Sequence, residues 1–261
     1  MNSIENSIRN KIQEKGVPLE KWNIQINYGV KTGLNDAFII SGKTKEEIIA
    51  DDPKSAEIIR PILRGRDIKK YEYSFADLWL INMHNGIKEK GIPPIDIENY
   101  PAIKKHLDKY FPLLKNRADK GDTPYNLRNC AYMDDFSKQK IVYREISDEM
   151  DACIVSDEVY VNNKCYIITG EHLEHLICIL NSKLFNKIIL KGANQTGGKG
   201  RDFLEKIHMP YPNNDKDLEE LYKKLSAASP AEKETILKQI DYRVSELYDL
   251  TNAEIDYINS L

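Results

Sequence analysis

Residues 179–212 read ILNSKLFNKIILKGANQTGGKGRDFLEKIHMPYP, an apolar helix pattern that runs into a basic, glycine-rich loop. The loop contains Gly192, Gly197, Gly198 and Gly200. Glycine adopts backbone angles that other residues avoid and lets the main chain approach a ligand closely. Because six lysines and arginines stand against two acids in this region, the loop favours a polyanion, with nucleic acid or a nucleotide phosphate as the first candidates. The alternative is a solvated surface loop.

The loop departs from the phosphate-binding motif GxxxxGK[ST]. When Gly198 and Lys199 are aligned with the GK pair, Ala193 stands where the motif has its first glycine, and Gly200 replaces the hydroxyl residue that would bind magnesium. The loop also follows a helix pattern rather than a strand. A nucleotide triphosphate site is therefore disfavoured, and nucleic acid remains the stronger candidate.

Length and composition place the chain among ordinary globular proteins. Its 261 residues, 41% of them hydrophobic, allow one substantial core with a smaller element, or two modest domains. The amino terminus does not resemble a signal peptide, and no apolar run is long enough to span a bilayer. The four cysteines are scattered without a CxxC pair, which gives little support to a metal or disulfide framework. These features predict a cytoplasmic protein that does not enter the membrane.

The charge is distributed unevenly along the chain. The net charge is −3, but residues 213–261 hold six cations against eleven acids, so the preceding part is slightly positive. Two groups of cations stand out there: Arg60, Arg64, Arg66, Lys69 and Lys70, and then Lys104, Lys105, Lys109, Lys115, Arg117 and Lys120. A positive body with a negative tail suits a protein that binds DNA with one face only.

Hydrophobic periodicity predicts an α+β fold with a mixed sheet. Isoleucines at positions 4, 8 and 12 mark one face of an opening helix. Residues 22–40 predict two strands around a turn, and residues 159–169 predict a hairpin around an Asn-Asn pair. Residues 100–116 have helical character, interrupted by Pro112. Residues 173–190 predict a helix that is apolar nearly all round and therefore buried.

The last part of the chain predicts a small helical element. Three amphipathic segments follow one another, and Ser229 with Glu232 and Thr251 with Glu254 form capping boxes at the start of two of them. Thr44 and Glu47 predict the same start for a short helix near the amino terminus. We therefore expect one domain over residues 1–212 and a helical tail over residues 213–261, with packing, dimerisation or partner docking as its alternative roles.

Catalytic motifs are weak throughout the chain. Residues 92–95 read IPPI, which lacks the Asn or Asp and the aromatic residue of the NPPY-type motif for amino methylation. The five histidines form no HExxH motif. The acids Asp134, Asp135 and Glu145 lack a lysine two residues beyond them in a convincing strand, so metal-dependent nuclease activity is retained only as an alternative. The prediction is a chain without catalysis of its own.

The loops instead carry residue types that bind DNA. Base edges are read by Arg or Lys at guanine and by Asn or Gln at adenine, while phosphates are held by cations, hydroxyls and backbone N–H groups. The predicted DNA-binding residues are Lys31, Thr32, Asn35, Arg64, Arg66, Thr123, Tyr125, Asn126, Arg128, Asn194, Gln195, Thr196, Gly198, Lys199 and Arg201. The alternative for the arginines at 64, 66 and 128 is an internal ion pair, and for Tyr125 it is packing.

Five segments and the glycine loop together resemble one known family. The segments are GVKTGLNDAFII (29–40), IIRPILRGRDIKKY (58–71), YPAIKKHL (100–107), PYNLRNCAYMDDFSKQKIVY (124–143) and CILNSKL (178–184), followed by the loop that closes on MPYP at 209–212. In this order they resemble the TaqI-like C-terminal specificity domain of adenine-specific DNA methyltransferases and of fused (type IIG) restriction–modification enzymes.

The resemblance implies a target-recognition domain. Such a domain places its loops against the DNA major groove while a separate catalytic domain flips and methylates an adenine. Double-stranded DNA and a catalytic methyltransferase or nuclease domain, or subunit, are therefore the expected partners, and S-adenosylmethionine and magnesium are expected only in that catalytic part. The chain is either a fragment of a fused enzyme or the partner of a catalytic chain. The alternatives left open are a specificity subunit that docks through its helical tail, a homodimer through residues 213–261, and a magnesium-dependent nuclease.

Overall fold

The computed structural model describes residues 3–145, 147–156, 158–193 and 200–261, with residues 192 and 193 described by their backbone alone. The fold is α+β, as predicted. The helices are α1 (Ser3–Lys15), α2 (Asn35–Phe38), α3 (Gly42–Asp51), α4 (Pro101–Asp108), α5 (Phe111–Asn116), α6 (Leu173–Leu180), α7 (Leu190–Ala193), α8 (Arg201–Glu205), α9 (Asp217–Ala227), α10 (Pro230–Leu247) and α11 (Asn252–Ser260).

Short strands alternate with these helices. They are β1 (Val17–Pro18), β2 (Ile24–Tyr28), β3 (Ile39–Ser41), β4 (Ile59–Leu63), β5 (Ile68–Lys69), β6 (Glu72–Tyr73), β7 (Leu78–Ile81), β8 (Lys140–Arg144), β9 (Ala152–Val155), β10 (Tyr160–Val161), β11 (Cys165–Gly170) and β12 (His208–Met209). Two four-stranded sheets, in the orders β2-β11-β8-β9 and β10-β4-β7-β3, are accompanied by the pairs β1-β12 and β5-β6.

The antiparallel sheet β2-β11-β8-β9, here called the central sheet, separates two hydrophobic cores. Side chains alternate across β11, so Tyr166 and Ile168 belong to the first core while Cys165 and Ile167 belong to the second. Because both faces are covered, β11 is an unbroken apolar run and not an alternating pattern. This strand is the centre of the fold, since it pairs with β2 on one side and β8 on the other.

The first core lies between the central sheet and a layer of helices. It contains α1, α6 and the apolar faces of α9, α10 and α11. The buried helix predicted for residues 173–190 lies here, but it is interrupted after α6. At the break, the Asn181 amide receives a hydrogen bond from the Ala152 N–H (3.2 Å) and donates one to the Ala152 carbonyl (2.9 Å), which ties the helix to β9. The chain then continues through a π-helical turn, Phe185–Ile189, into α7.

The second core lies between the other face of the central sheet and the sheet β10-β4-β7-β3, together with α3, α4 and α5. Two predictions are wrong in this region. Residues 159–169 do not form a hairpin, because β10 pairs in parallel with β4 while β11 belongs to the central sheet. Residues 22–40 do not form a strand pair either, because a helical turn (α2) precedes β3, which pairs with β7 in the second sheet.

Most helix boundaries follow the sequence signals. Helical character over 100–116 is interrupted near Pro112 as predicted, and Pro112 falls in the first turn of α5. The capping boxes that open α10 and α11 are both present. For α3 the predicted cap is wrong by three residues, because the Ser41 hydroxyl accepts the Thr44 N–H (3.2 Å) and the helix begins at Gly42.

All four cysteines are free thiols. Within the described ranges, the helices are too short or too polar to cross a membrane.

Candidate nucleic-acid interface

The loop after β2 is held between the two large sheets by a close backbone approach. The Gly29 N–H donates to the Cys165 carbonyl (2.9 Å), and the Val30 N–H donates to the Val161 carbonyl (2.7 Å). A Cβ atom on Gly29 would lie 2.0 Å from the Asn162 carbonyl oxygen, so only glycine fits here. The contact fixes the position from which Lys31 projects to the surface.

Arg117 ties this loop to a second loop, residues 119–126. Its guanidinium is buried and donates to the backbone carbonyls of Thr32, Asp119 (2.6 Å), Pro124 (3.1 Å) and Asn126. Burial lowers the pKa of Arg117 to about 10, although Asp119 opposes this shift. Arg117 belongs to the second group of cations in the sequence, but its side chain is buried and connects two loops.

Thr32 and Asn126, two of the predicted DNA-binding residues, are buried in this arrangement. The Thr32 hydroxyl donates to the Asn35 side-chain oxygen (2.7 Å), while the Thr123 hydroxyl donates to that of Asn126 (2.5 Å). The Asn126 amide in turn donates to the Ile95 carbonyl (2.9 Å). In the observed conformation these residues shape the loops, and Asn35 and Thr123 are exposed at the loop surface.

Tyr125 also makes internal contacts. Its hydroxyl donates to Asp108 (2.5 Å), and its ring lies 5.6 Å from that of Phe111, measured between centroids. Burial, together with the hydrogen bond to Asp108, raises the pKa of Tyr125 to about 12. The packing interpretation considered for this residue therefore describes its observed environment.

Two predicted cations share one carboxylate at the rim of these loops. Asp119 lies 3.2 Å from the Lys31 ammonium and 3.3 Å from the Arg128 guanidinium. The two cationic side chains are 49% and 53% exposed, whereas that of Asp119 is 22% exposed. One carboxylate cannot neutralise two cations, so Lys31, Arg128 and Asp119 together keep a net positive charge. Asp119 also restricts the orientation of the two cationic side chains.

A groove beside them is lined by Arg64, Arg66, Arg144, Lys164 and three further residues. Arg64 binds Asp67 through two side-chain hydrogen bonds of 3.0 and 2.8 Å, so the ion-pair alternative holds for this arginine. Burial of Asp67 opposes ionisation, but the hydrogen bonds and charge of Arg64 outweigh it and lower the pKa of the carboxyl.

The other cations of the groove differ in whether they form an ion pair. Arg144 pairs with Asp151 (2.8 Å), whereas Arg66 and Lys164 are exposed and make no ion pair with described residues. Arg144 and Lys164 were not among the predicted residues, because single cations at strand ends carry no distinctive sequence signal. We call Lys31, Arg66, Arg128, Arg144 and Lys164 together the cationic face.

Three tyrosines stack across the central sheet next to this face. Tyr143, Tyr166 and Tyr28 occupy paired positions on β8, β11 and β2. The ring centroids are 5.1 Å apart for the first pair and 4.4 Å for the second. The series begins at a fully buried ring and ends at Tyr28, which is 47% exposed. No sequence pattern predicts this series, because partners on three strands cannot be paired without the sheet order.

The end of the glycine loop lies over these tyrosines. A Cβ atom on Gly200 would be 3.5 Å from the Tyr166 hydroxyl, which also receives a backbone hydrogen bond from Arg201. The Arg201 side chain pairs with Glu205 (2.6 Å) and is about half exposed. The predicted residues Asn194, Gln195, Thr196, Gly198 and Lys199 lie outside the described residues.

A cavity of about 420 Å³ opens between the two large sheets. Lys31, Arg128 and Lys164 line it together with aromatic and amide side chains, and it shares Glu145 and Lys164 with the groove. The face thus combines cations, an exposed aromatic ring and a recess of ligand size.

This combination of an α+β fold and a cationic loop surface is that of a nucleic-acid recognition domain. Residues 60–207, more than half of the chain, match the model of the TaqI-like C-terminal specificity domain. The chain belongs to this family, and the resemblance noted in the sequence is confirmed. The matched range contains four of the five residues of the cationic face, and Lys31 precedes it.

Solved structures show the same fold. The type IIL restriction–modification enzyme MmeI in complex with DNA is similar to this chain at 16% identity and a TM-score of 0.58, over 94% of this chain and 36% of that one. The type IIG restriction endonuclease BpuSI is similar at 12% identity and a TM-score of 0.54, over 95% and 33% respectively. This chain therefore spans about a third of each. No curated protein sequence matches the chain.

Proposed function

We propose that this chain reads a double-stranded DNA sequence as the specificity domain of a restriction–modification adenine methyltransferase or endonuclease. The observation that carries the proposal is the cationic face, formed by loops of a chain that belongs to a specificity-domain family. Catalysis, with S-adenosylmethionine and magnesium, is assigned to another domain or chain. Both solved enzymes that share the fold are about three times as long as this chain, which supports that assignment.

The environment of each cation suggests its role. Lys164 and Arg66 are exposed without an ion-pair partner among the described residues, and such mobile charges suit phosphate contacts, which fix register without reading sequence. Arg128 is oriented by Asp119 (3.3 Å). A guanidinium held in one orientation suits the bidentate contact with guanine, which requires a fixed geometry. Arg64 acts through its bond to Asp67 as a positioning residue for the groove.

Selection from a random duplex library tests the proposal. The chain should enrich a defined sequence at moderate salt, and its affinity for that sequence should fall steeply as salt rises. Recovery of an unbiased pool, with no preference at any position, would contradict sequence reading. It would leave only nonspecific electrostatic binding.

Two variants separate the roles on the selected sequence. Lys164→Ala should weaken binding similarly on all sequences and reduce the salt slope by about one, whereas Arg128→Ala should relax the preference at one position at a cost of about 1–3 kcal/mol. Lys238→Ala is the matched control, because this exposed lysine lies on α10 and already pairs with Glu234. If Lys238→Ala weakens binding as much as the other two, the face is placed wrongly.

The helical tail is not assigned a docking role. The apolar residues Leu218, Leu225, Ile240 and Val244 are buried in the first core and are therefore already covered. A homodimer through residues 213–261 stays a prediction, and light scattering of the full chain would test it.

A further inference from the structure

We propose that the cavity between the two large sheets holds a single nucleobase that has left the DNA stack. This inference rests on the proposed function and adds a ligand for one part of its surface. Side chains from both large sheets and from the loop 127–136 line the cavity. Its volume of about 420 Å³ falls in the range of small-molecule sites.

Buried aromatic rings line one part of the cavity. Phe136 and Tyr160 are buried and stack on each other, with centroids 4.7 Å apart and an interplanar angle of 10°. Tyr132 packs beside Phe136 at 6.3 Å, and Tyr28 contributes the exposed ring at the end of the tyrosine series. Aromatic surfaces accept any base by stacking, because every base has a π-face.

Most of the partly or fully buried polar groups of the cavity are neutral, and the exception is the half-buried Glu145. Asn82 is buried and donates to the Tyr160 hydroxyl (3.2 Å). The amide side chain of Asn163 also lines the cavity. Amide side chains match the donor and acceptor edges of bases. A recess of this composition favours a neutral, planar, hydrogen-bonding ring.

His84 supplies a further donor. Its Nδ1 accepts the Gly86 N–H (3.1 Å), so the neutral ring carries its proton on Nε2, which has no partner among the described residues. Burial lowers the pKa of His84 and thereby favours the neutral ring. The imidazole can therefore donate to a ring nitrogen or carbonyl oxygen of a base.

Three cations lie at the exposed side of the cavity, and they outnumber Glu145, a half-buried acid that also lines it. Lys31, Arg128 and Lys164 are exposed, in contrast to the buried Phe136 and Tyr160. A ligand that is neutral at the buried end and anionic at the open end fits this gradient. A nucleotide still joined to a DNA backbone has this distribution, with its phosphates near the cations.

Duplexes with one unpaired base test the inference. The probes are a fully paired duplex and four otherwise identical duplexes, each with a single bulged A, C, G or T. Because a bulged base avoids the cost of unpairing, at least one of the four should bind the full chain on the order of tenfold more tightly than the paired duplex. Binding of the paired duplex without any bulge preference overturns the inference and leaves the proposed function intact. Binding of neither kind of duplex overturns the proposed function.

Substitutions at the cavity locate the effect. Met133 lines the cavity, so Met133→Trp should fill it and abolish the bulge preference while paired-duplex binding persists, and Met133→Leu should keep both. His84→Asn retains an acceptor for the Gly86 N–H but removes the Nε2 donor, and should reduce the preference severalfold. A melting curve shows whether Met133→Trp folds. If Met133→Trp does not fold, the bulge preference of His84→Asn decides whether the unpaired base binds in the cavity. A preference that survives in the folded variants places the unpaired base elsewhere and overturns the inference.

Discussion

The two sides of the central sheet are built from different interactions. On the first side, α1, α6 and the three C-terminal helices form a continuous apolar core, in which a few buried polar side chains such as His175 and Asn186 hydrogen-bond to the backbone of neighbouring segments. On the second side, the core is joined to loops held by buried polar groups such as Arg117, Asn126 and Asn82, next to an open cavity. The first side therefore contributes chiefly to stability, while the second also sets the shape of a ligand-binding surface.

The difference can be tested by removing one buried ionic group on each side. On the second side, that group should affect both stability and DNA binding, because it positions loops that carry the cationic face. On the first side, its loss should lower stability alone. Substitution of an exposed residue beside the cavity provides a third test, since it should weaken DNA binding without changing the free energy of unfolding.

The largest effect is expected for Arg117→Ala. Four backbone carbonyls lose their donor, so the free energy of unfolding should fall by about 3 kcal/mol. Urea denaturation measures it. DNA affinity should also fall at temperatures where the variant remains folded, because the loops that carry Lys31 and Arg128 lose their common support.

Two neighbouring changes check this explanation. Arg117→Lys keeps the charge but cannot reach all four carbonyls, and should lie between the native protein and the alanine variant. Lys115→Ala removes an exposed cation two residues away and should be nearly neutral. A loss of less than about 1 kcal/mol for Arg117→Ala would show that the loops are held by other contacts.

Glu254→Gln is the corresponding change on the first side. Burial opposes ionisation of Glu254, but hydrogen bonds from Lys11, Thr251 and Ser7 outweigh it and lower the pKa of the carboxyl to about 2. The pKa of this carboxyl is lower in the folded state than its ordinary value of 4.5, so ionised Glu254 stabilises the folded state at pH values above 4.5. This stabilisation is lost as the pH falls toward 2. The substitution should therefore cost about 2 kcal/mol near pH 7 and much less near pH 3.

The DNA affinity of Glu254→Gln should equal that of the native chain, which is the sharper half of this prediction. Unfolding measured at both pH values, alongside a binding titration, checks the two statements. Glu234→Gln is the control, because this exposed glutamate pairs, among the residues that the structure describes, with Lys238 alone on its own helix and should leave stability unchanged. A pH-independent effect of Glu254→Gln would contradict the role of its charge.

The same contrast explains how much of the structure could be predicted. The starts of α10 and α11 on the first side could be predicted from local sequence, since the two residues of each capping box are three positions apart at the start of the helix. The second side depends on distant partners. The parallel pairing of β10 with β4 joins residues about a hundred positions apart, and no local pattern signals it. The Asn-Asn pair at 162–163 instead suggested a hairpin, because the same residue types favour tight turns.

The candidate interface was predictable to a similar degree. The ordered family segments pointed to the loops around Lys31 and Arg128, which the structure brings together at Asp119. The structural role of Arg117 could not be inferred from the charge pattern, because a count of cations does not show which of them backbone carbonyls enclose. Lys164 and Tyr28 were overlooked because their importance comes from neighbours on other strands, which only the sheet order reveals.

The smallest effect on stability is expected from two exposed tyrosines, one that lines the cavity and one on α10. Tyr28 ends the tyrosine series beside the cavity and is 47% exposed, while Tyr242 lies on α10 and is 53% exposed. Each alanine substitution should change the free energy of unfolding by less than about 0.5 kcal/mol. Only Tyr28→Ala should weaken DNA binding, by about 1 kcal/mol, because an aromatic face stacks on a base. Tyr28→Phe should bind like the native chain, since the ring alone provides the stacking surface. Equal losses from Tyr28→Ala and Tyr242→Ala would mean that exposure alone, and not position beside the cavity, determines the contribution to binding.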